Sequence, residues 1–530
     1  MEFSASDSLI LLGLLAAAVG LLAIAEIVRI PYPILLVLGG LGLGFVPGMP
    51  HIELAPDLVL VAILPPLLYG TAFFTSLREL RANIRPISFL AVGLVLTTMV
   101  AVAVIAHAVI PGIGWPSAFV LGAIVSPTDP TAATAIAERL GLPRQLVAVI
   151  EGESLVNDGT ALVAYRFAVA AVVTGSFSLA TASGRFVLSV VGGIAVGLAV
   201  GFVIREVRRR LDNPPVEITI SILSGYFAFL PAQALGVSGV LAAVTVGIYM
   251  GWYTPLLTTP QMRLQGAAVW EILFLVLNAL LFALVGLQLP AIIDALSGIS
   301  TGTLIRYAVI VTAAVIGARF AWIFVTAGIT YLLGRRWRAD DPAPSWRAKT
   351  ILAWSGMRGA VSLAAALALP ITTDAGTPFN DRDLIVFLTF GVILGTLVLQ
   401  GLTLPALIRV LDLEDDGLGE KEDAKARIYA AEAALARLEE LLDEEWVLED
   451  TAERLRGLYG FRRERFSSRF DAESDGALED RSVNYQRLRH ELLEAERRAV
   501  IELQRSGRID DAVARRVVRD LDLEDARLEL

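Results

Sequence analysis

The chain has 530 residues, 55% of them hydrophobic and 18% charged, with a formal net charge of −10 and a mean hydropathy of +0.65. Average soluble domains reach only about 45–50% apolar residues even with glycine counted, which excludes an ordinary soluble enzyme. Cysteine is absent and His51, His107 and His490 are scattered, which excludes disulfides, thiolate metal sites and cysteine nucleophiles and leaves zinc chemistry without a ligand set.

The first residues, MEFSASDSLI, carry acids and no Lys or Arg ahead of the first apolar run. A secretory signal needs a basic start, so this run reads as a retained first span with its N-terminus outside. About thirteen stretches are long and apolar enough for a spanning helix. They start near Leu9, Ile30, Pro56, Pro86, Trp115, Gln145, Gly184, Pro215, Gly236, Ala267, Gly302, Lys349 and Asp383; the second and ninth are short or Gly-interrupted. Arg29, Arg78/Arg81/Arg85, Arg139/Arg144, Arg205/Arg208/Arg209/Arg210, Arg263 and Arg335/Arg336/Arg338 fall in alternate loops. The positive-inside rule then puts the N-terminus outside and the C-terminus in the cytoplasm of a multi-pass inner (plasma) membrane protein. The predicted domains are an apolar one, 1–410, and an acidic, helix-rich one, 411–530. The last 120 residues hold 33 acids and 21 bases.

A shift of seven segments pairs the fifth with the twelfth and inverts their topology. The fifth carries SPTDPTA and the twelfth WSGMRGAVS, both polar and interrupted by Pro or Gly inside apolar runs. Lipid tolerates broken backbone only beside protein or water, and such a pair points to the binding site of an inverted-repeat transporter. In the fifth, Pro127 and Pro130 each leave a carbonyl one turn earlier without its helical donor. In the sixth, Glu151-Gly-Glu153-Ser154-Leu-Val-Asn157-Asp158 is the densest ionisable cluster of the apolar region. On a helix Glu153, Ser154, Asn157 and Asp158 span an arc of about 140°. That face offers only hard oxygen ligands, which suit a small monovalent cation rather than a transition metal.

SPTDPTA, EGESLVNDGTALV, ARFAW and GMRGAVSLAAAL occur in this order and resemble the signature stretches of the cation:proton antiporter-1 family of sodium/proton exchangers. The similarity covers residues 9–410. It implies an all-α fold of thirteen transmembrane helices with inverted repeats and crossed, broken fifth and twelfth helices, working as a homodimer without a cofactor. It also implies that Asp158 is the essential carrier, preceded by Asn157 as in electroneutral members. The family's cation ligands map onto Asp158, Ser154 and Thr128, with Asp129 close by. Its structural ion pair maps onto Glu153 and Arg319, and its twelfth-helix arginine onto Arg358. One position departs: Gly70 stands where many members carry an acid.

The residues make the same case in physical terms. A carboxylate in a low-dielectric site needs a neutralising partner, so a proton and a cation compete for Asp158, and one acid carrying one charge either way exchanges them one for one. The alternative at Asp158 is a buried carboxylate accepting backbone hydrogen bonds. Asp129 reads equally as a ligand and as a helix cap. Arg358 reads as a cap for carbonyls at the twelfth-segment break, against an arginine snorkelling to the interface. Glu271 is expected at the interface, and Arg166 to snorkel or pair.

After residue 410, AKARIYAAEAALARLEELLDEEW reads as an amphipathic helix. A polar break is predicted around Phe466–Gly476, then two helices flanking Ser506-Gly507, with Asp510 starting the second. This domain reads as regulatory or dimerising, against a solvated appendage that aids assembly. No nucleotide fingerprint and no basic stripe for nucleic acid is present. The expected partners are Na⁺ (or K⁺ or Li⁺), H⁺, membrane lipid and a second copy of the chain. The competing reading is a cation channel, or a transporter-like sensor signalling through its tail. A channel would favour rings of ligands about a pore axis, whereas these motifs make one asymmetric site.

Overall fold

Hydrocarbon offers the backbone no hydrogen-bond partners, so a chain this apolar has to close its polar groups within helices. The computed structural model describes residues 5–28, 31–46, 58–175, 179–334, 345–413, 417–467 and 477–525. Among them there is no strand, only an isolated bridge between Thr372 and Pro378. The chain forms two units, Met1–Glu414 and Asp415–Leu530.

The first unit opens with α1 (Ala5–Val28) and α2 (Tyr32–Gly44). A π-helical run, Leu58–Ile63, leads into α3 (Leu64–Phe74). Pro65 and Pro66 sit in the first turn of α3, where a missing N–H costs no ladder bond. Ser76 caps α4 (Leu77–Ala82), its Oγ accepting from Glu79 N at 3.3 Å. Next, α5 (Ile84–Ser88) passes through a second π-helical run, Phe89–Leu94, into α6 (Val95–Val109). Two short helices follow, α7 (Trp115–Val125) and α8 (Thr131–Arg139). The long α9 (Arg144–Thr174) ends on Gly175 at φ 67°, a left-handed stop that favours glycine.

The chain continues through α10 (Leu179–Arg208), α11 (Pro214–Ala234), α12 (Gly239–Leu257), α13 (Pro260–Leu287), α14 (Leu289–Ala295) and α15 (Thr301–Gly334). It closes with α16 (Trp346–Trp354), α17 (Ala360–Leu367) and α18 (Arg382–Leu411). Asn213, Ser238 and Ser345 cap α11, α12 and α16 through their side-chain oxygens.

Eight helices among the described residues are long and apolar enough to cross a membrane, and four shorter apolar helices accompany them. The expected fifth and twelfth segments are not among the eight, because each is a pair of short helices. Of the eight, α18 is the most enclosed by protein. Glycines bring the other helices into backbone contact. A Cβ on Gly40 of α2 would run into the Ala283 carbonyl of α13, and one on Gly247 of α12 into the Tyr69 carbonyl of α3. The Gly-interrupted ninth segment is therefore one continuous helix whose glycines are its packing face. The tenth begins at Pro260 rather than Ala267, so Glu271 lies about three turns inside α13 instead of at its start. The expected starts at Ile30 and Pro56 lie outside the described residues.

In the second unit α19 (Leu418–Leu441) packs with α20 (Glu449–Ser467), and α21 (Ala477–Arg505) with α22 (Asp511–Asp525). Gly507 turns at φ 71°, and Asp510 Oδ1 accepts from Ala512 N at 2.7 Å to start α22. The sequence reading had not singled out α20, whose residues are polar nearly all round. Most of the predicted break, 468–476, lies outside the described residues, and Phe466 and Ser467 are still helical.

Candidate functional site

The two interrupted segments break where their sequences deny the helix its donors, and each orphaned group finds a specific partner. Pro127 cannot donate to Ala123 O, and Ser126 Oγ takes that carbonyl at 2.9 Å. Pro130 cannot donate to Ser126 O, which instead accepts from Arg358 Nη2 at 3.5 Å. Asp129 N turns away from its own helix to Met357 O at 2.8 Å, and the Val125 carbonyl it leaves accepts from Arg358 Nε at 3.0 Å. The α7/α8 break and the α16/α17 break thus complete each other.

The α16/α17 break is held in the same way. Arg319 donates from Nε (3.1 Å) and Nη2 (2.9 Å) to Leu352 O near the end of α16, and Ser355 Oγ adds a bond at 3.0 Å. Arg358 N donates to Thr396 Oγ1 of α18 at 3.1 Å, and its Nη1 bonds Gly356 O. Arg358 is wholly buried, so its guanidinium lies among carbonyls rather than at an interface. At the other end of α17, Arg382 donates to Leu369 O (3.1 Å) and Leu367 O (3.3 Å). Cations at helix C-termini complement the carbonyl dipoles left there. Gly359 is needed for close approach, because a Cβ there would overlap the Asp129 carboxylate.

The sixth-segment face lies against the first break. Ser154 Oγ donates to Thr128 O at 2.7 Å and Asn157 Nδ2 to Thr128 Oγ1 at 2.8 Å. Thr128 Oγ1 in turn donates to Glu153 Oε1 at 3.2 Å. Glu153 forms a bidentate pair with Arg319, with Nη2–Oε2 at 2.8 Å, and both side chains are 1% exposed. Asn157 Oδ1 is buried with no protein partner among the described residues.

Asp158 differs from its neighbours. It is buried, and among the described residues no hydrogen bond reaches its carboxylate. Its side chain borders a cavity of about 610 Å³ that also touches Asp129, Ser154, Glu151, Glu271 and Thr75. Asp129 borders the same cavity as Asp158. Its Oδ1 accepts from Thr131 N at 2.9 Å, the geometry of a cap on α8.

Other positions named in the sequence reading are placed as follows. Glu271, expected at the interface, is exposed and borders the cavity, because α13 starts earlier than its apolar run. Gly70 is buried, and a Cβ there would come within 2.5 Å of Phe274 and 2.6 Å of Trp270, so aromatic rings fill the space an acid would need. Arg166 is exposed on α9. Ser362, the last residue of the twelfth-segment stretch, also borders the cavity, as do Tyr32 and Asn278, which sequence reasoning missed. A lone Tyr or Asn in an apolar run has no local signature. The only available hint was amide or hydroxyl chemistry inside a predicted span.

Residues 13–410 match the family of sodium/hydrogen exchangers, transmembrane. A Mycobacterium tuberculosis (strain H37Rv) protein designated an uncharacterized Na(+)/H(+) exchanger is 37% identical over 524 residues, covering 98% of this chain and 96% of that one. The Na(+)/H(+) antiporter ApNhaP of Aphanothece halophytica is 34% identical over 415 residues, 77% of this chain and 75% of that one. A Bacillus pumilus sodium, potassium, lithium and rubidium/H(+) antiporter is 37% identical over 392 residues, 71% of this chain and 58% of its own length. The solved structure of the sodium proton antiporter MjNhaP1 from Methanocaldococcus jannaschii shares the fold, with a TM-score of 0.61 at 21% identity, covering 76% of this chain and 99% of that one. With two interrupted helices completing each other's hydrogen bonds inside a multi-pass membrane unit, this chain belongs to the sodium/hydrogen exchanger family of secondary transporters.

Proposed function

We propose that the protein exchanges a monovalent cation for H⁺, one for one and without net current, by competition for Asp158. Na⁺ is the expected cation, with K⁺ and Li⁺ as the other candidates. The observation that carries this reading is the state of Asp158: a buried carboxylate facing a cavity with no hydrogen-bond partner among the described residues. Such a charge has to be neutralised, and hydroxyl and carbonyl oxygens of Ser154 and Thr128 stand beside it as hard ligands. Asp129, while capping α8, borders the same cavity and serves as the second carboxylate of the site. Glu153 serves structure, because Arg319 already neutralises it. Arg358 and Arg319 hold the two breaks, and Asn157 ties Asp158's helix to Thr128.

The cavity follows Thr71 and Thr75 toward the end of α3 that leads to Arg78 and Arg81. By the positive-inside rule that end is cytoplasmic, so this is an inward-facing state of an alternating-access cycle. The full reading has thirteen crossings in inverted repeats, N-terminus outside and C-terminus inside, in a homodimer of the plasma membrane.

The test uses purified protein in proteoliposomes with an internal pH dye. NaCl, KCl and LiCl are added in turn, with and without a potassium/valinomycin clamp. The expected result is a cation-evoked pH change, abolished by Asp158→Asn and unchanged by the clamp. No response to any cation from folded, inserted protein would move the assignment to a channel or a sensor.

A further inference from the structure

In the second unit, α21 carries apolar side chains on two faces rather than one. The first face packs on α22: Leu493 is buried there, Arg489 bonds Glu524, and Arg497 reaches Asp522 at 2.9 Å and Asp525 at 3.1 Å. The second lies roughly 120° round the helix and carries Tyr485, Leu488, Leu492, Ala495 and Ala499, at alternating spacings of three and four. Tyr485, Leu488 and Leu492 are 54%, 60% and 52% exposed, and both alanines are exposed as well. A helix packed on one neighbour needs one apolar stripe, so this second stripe calls for a cover of its own.

The make-up of the stripe and of its edge says what fits it. Large residues occupy its first half and alanines its second. Two copies of α21 laid antiparallel about a two-fold axis near Leu493 and Glu494 put Leu488 opposite the second copy's Ala499 and Leu492 opposite the second copy's Ala495. Large then meets small in all four of these layers. Laid parallel, they would stack leucine on leucine and alanine on alanine, leaving the alanine half hollow. The charges make the same choice. Glu491 and Arg498 are exposed, seven residues apart on the edge away from α22, and Arg498 donates Nε to Glu494 O at 3.2 Å, which fixes its guanidinium on that edge. Antiparallel pairing sets Glu491 beside the second copy's Arg498, twice by symmetry, whereas parallel pairing sets it beside the second copy's Glu496.

We propose that the exposed stripe of α21 is a self-association seam, in which α21 pairs antiparallel with α21 of a second copy. The inference rests on the homodimer reading above. Five apolar residues make too small a patch to hold two free chains together, whereas chains already joined elsewhere keep their C-terminal units at roughly millimolar effective concentration. The two-fold arrangement also closes on itself, so it leaves no apolar edge for further copies.

The absence of cysteine makes the register testable in the full-length chain. Two differently tagged copies are co-expressed, one with Leu488→Cys and the other with Ala499→Cys, and the membranes are mildly oxidised. The seam predicts a disulfide-linked dimer carrying both tags, about fivefold above either variant oxidised alone. Like positions lie about 16 Å apart along the helix axis in this register, beyond the reach of a disulfide. Glu491→Arg or Arg498→Glu, present in both copies, should lower the mixed yield about fivefold, and the two together should restore it. These positions are exposed, so each variant should elute as the parent does. Dominant self-linkage of Leu488→Cys would mean a parallel pair, and equal linkage in all pairings would mean random collision; either overturns the seam. No linkage in a chain that light scattering shows to be dimeric overturns it too, gives the stripe to another partner and leaves the homodimer reading intact. No linkage in a monomeric chain removes both.

Discussion

Two buried ion pairs in the first unit have the same chemistry and opposite quality. Beside the two breaks, Glu153 and Arg319 meet through two bonds; Arg319 also holds Leu352 O, and Glu153 accepts from Thr128. Where α10 meets α11, Arg208 and Glu217 make a single contact of 3.5 Å. Arg208 also donates to Thr254 Oγ1 at 3.2 Å and the Met262 sulfur at 3.7 Å, while its Nε has no partner among the described residues. Burial of charge is costly at both places, but only the pair beside the breaks recovers it through a bidentate contact and further hydrogen bonds. The difference shows which region the fold over-determines: the junction beneath Asp158, where two helices lack internal hydrogen bonds and depend on side chains for closure.

The largest expected effect follows from that contrast. Arg319→Ala strands the glutamate and uncaps α16, and Glu153→Gln strands the arginine; each should cost about 3–5 kcal/mol, seen as loss of folded, monodisperse protein and a lower unfolding temperature in detergent. Full yield and an unchanged transition in both variants would contradict the structural role of the pair. Arg208→Met should cost less, about 1–3 kcal/mol, since it breaks a weaker contact and leaves mainly the desolvation of Glu217. Equal losses at the two sites would erase the comparison, whereas a ranked pair of midpoints would sharpen it.

The smallest effect belongs to the second unit, whose charges are mostly exposed and correspondingly weak. His490 Nδ1 lies 2.8 Å from Asp525 Oδ1, and this hydrogen bond, with the Asp525 charge and the nearby Glu494 and Glu491, raises the histidine above its usual value. Arg497 also reaches Asp525, at 3.1 Å, and so competes with the histidine for that carboxylate. A raised folded value means that the contact contributes fully below the unfolded value of about 6.5 and is lost as pH rises through the higher folded one. Hydrogen exchange across α22, corrected for intrinsic rates, should therefore show slightly more protection at mildly acidic than at alkaline pH. His490→Gln should flatten that dependence, and an unaltered profile would remove His490 from the account.

Much of this protein follows from local features of its sequence. Hydropathy delimits the apolar helices, since a spanning segment must satisfy its own backbone. Pro127 and Pro130 mark a break because their missing donors act within one turn. The face of Glu153, Ser154, Asn157 and Asp158 is set by helical periodicity alone. What only the tertiary structure decided is long-range partnership. Arg358 closes carbonyls 232 and 233 residues away, and Arg319 pairs with a glutamate 166 residues distant. Trp270 and Phe274 occupy the space beside Gly70, and Glu271 turns to the cavity. Periodicity tells a residue which face it occupies, but the neighbour on that face is chosen by how whole helices pack, and that choice left Asp158 facing the cavity while Glu153 was locked away.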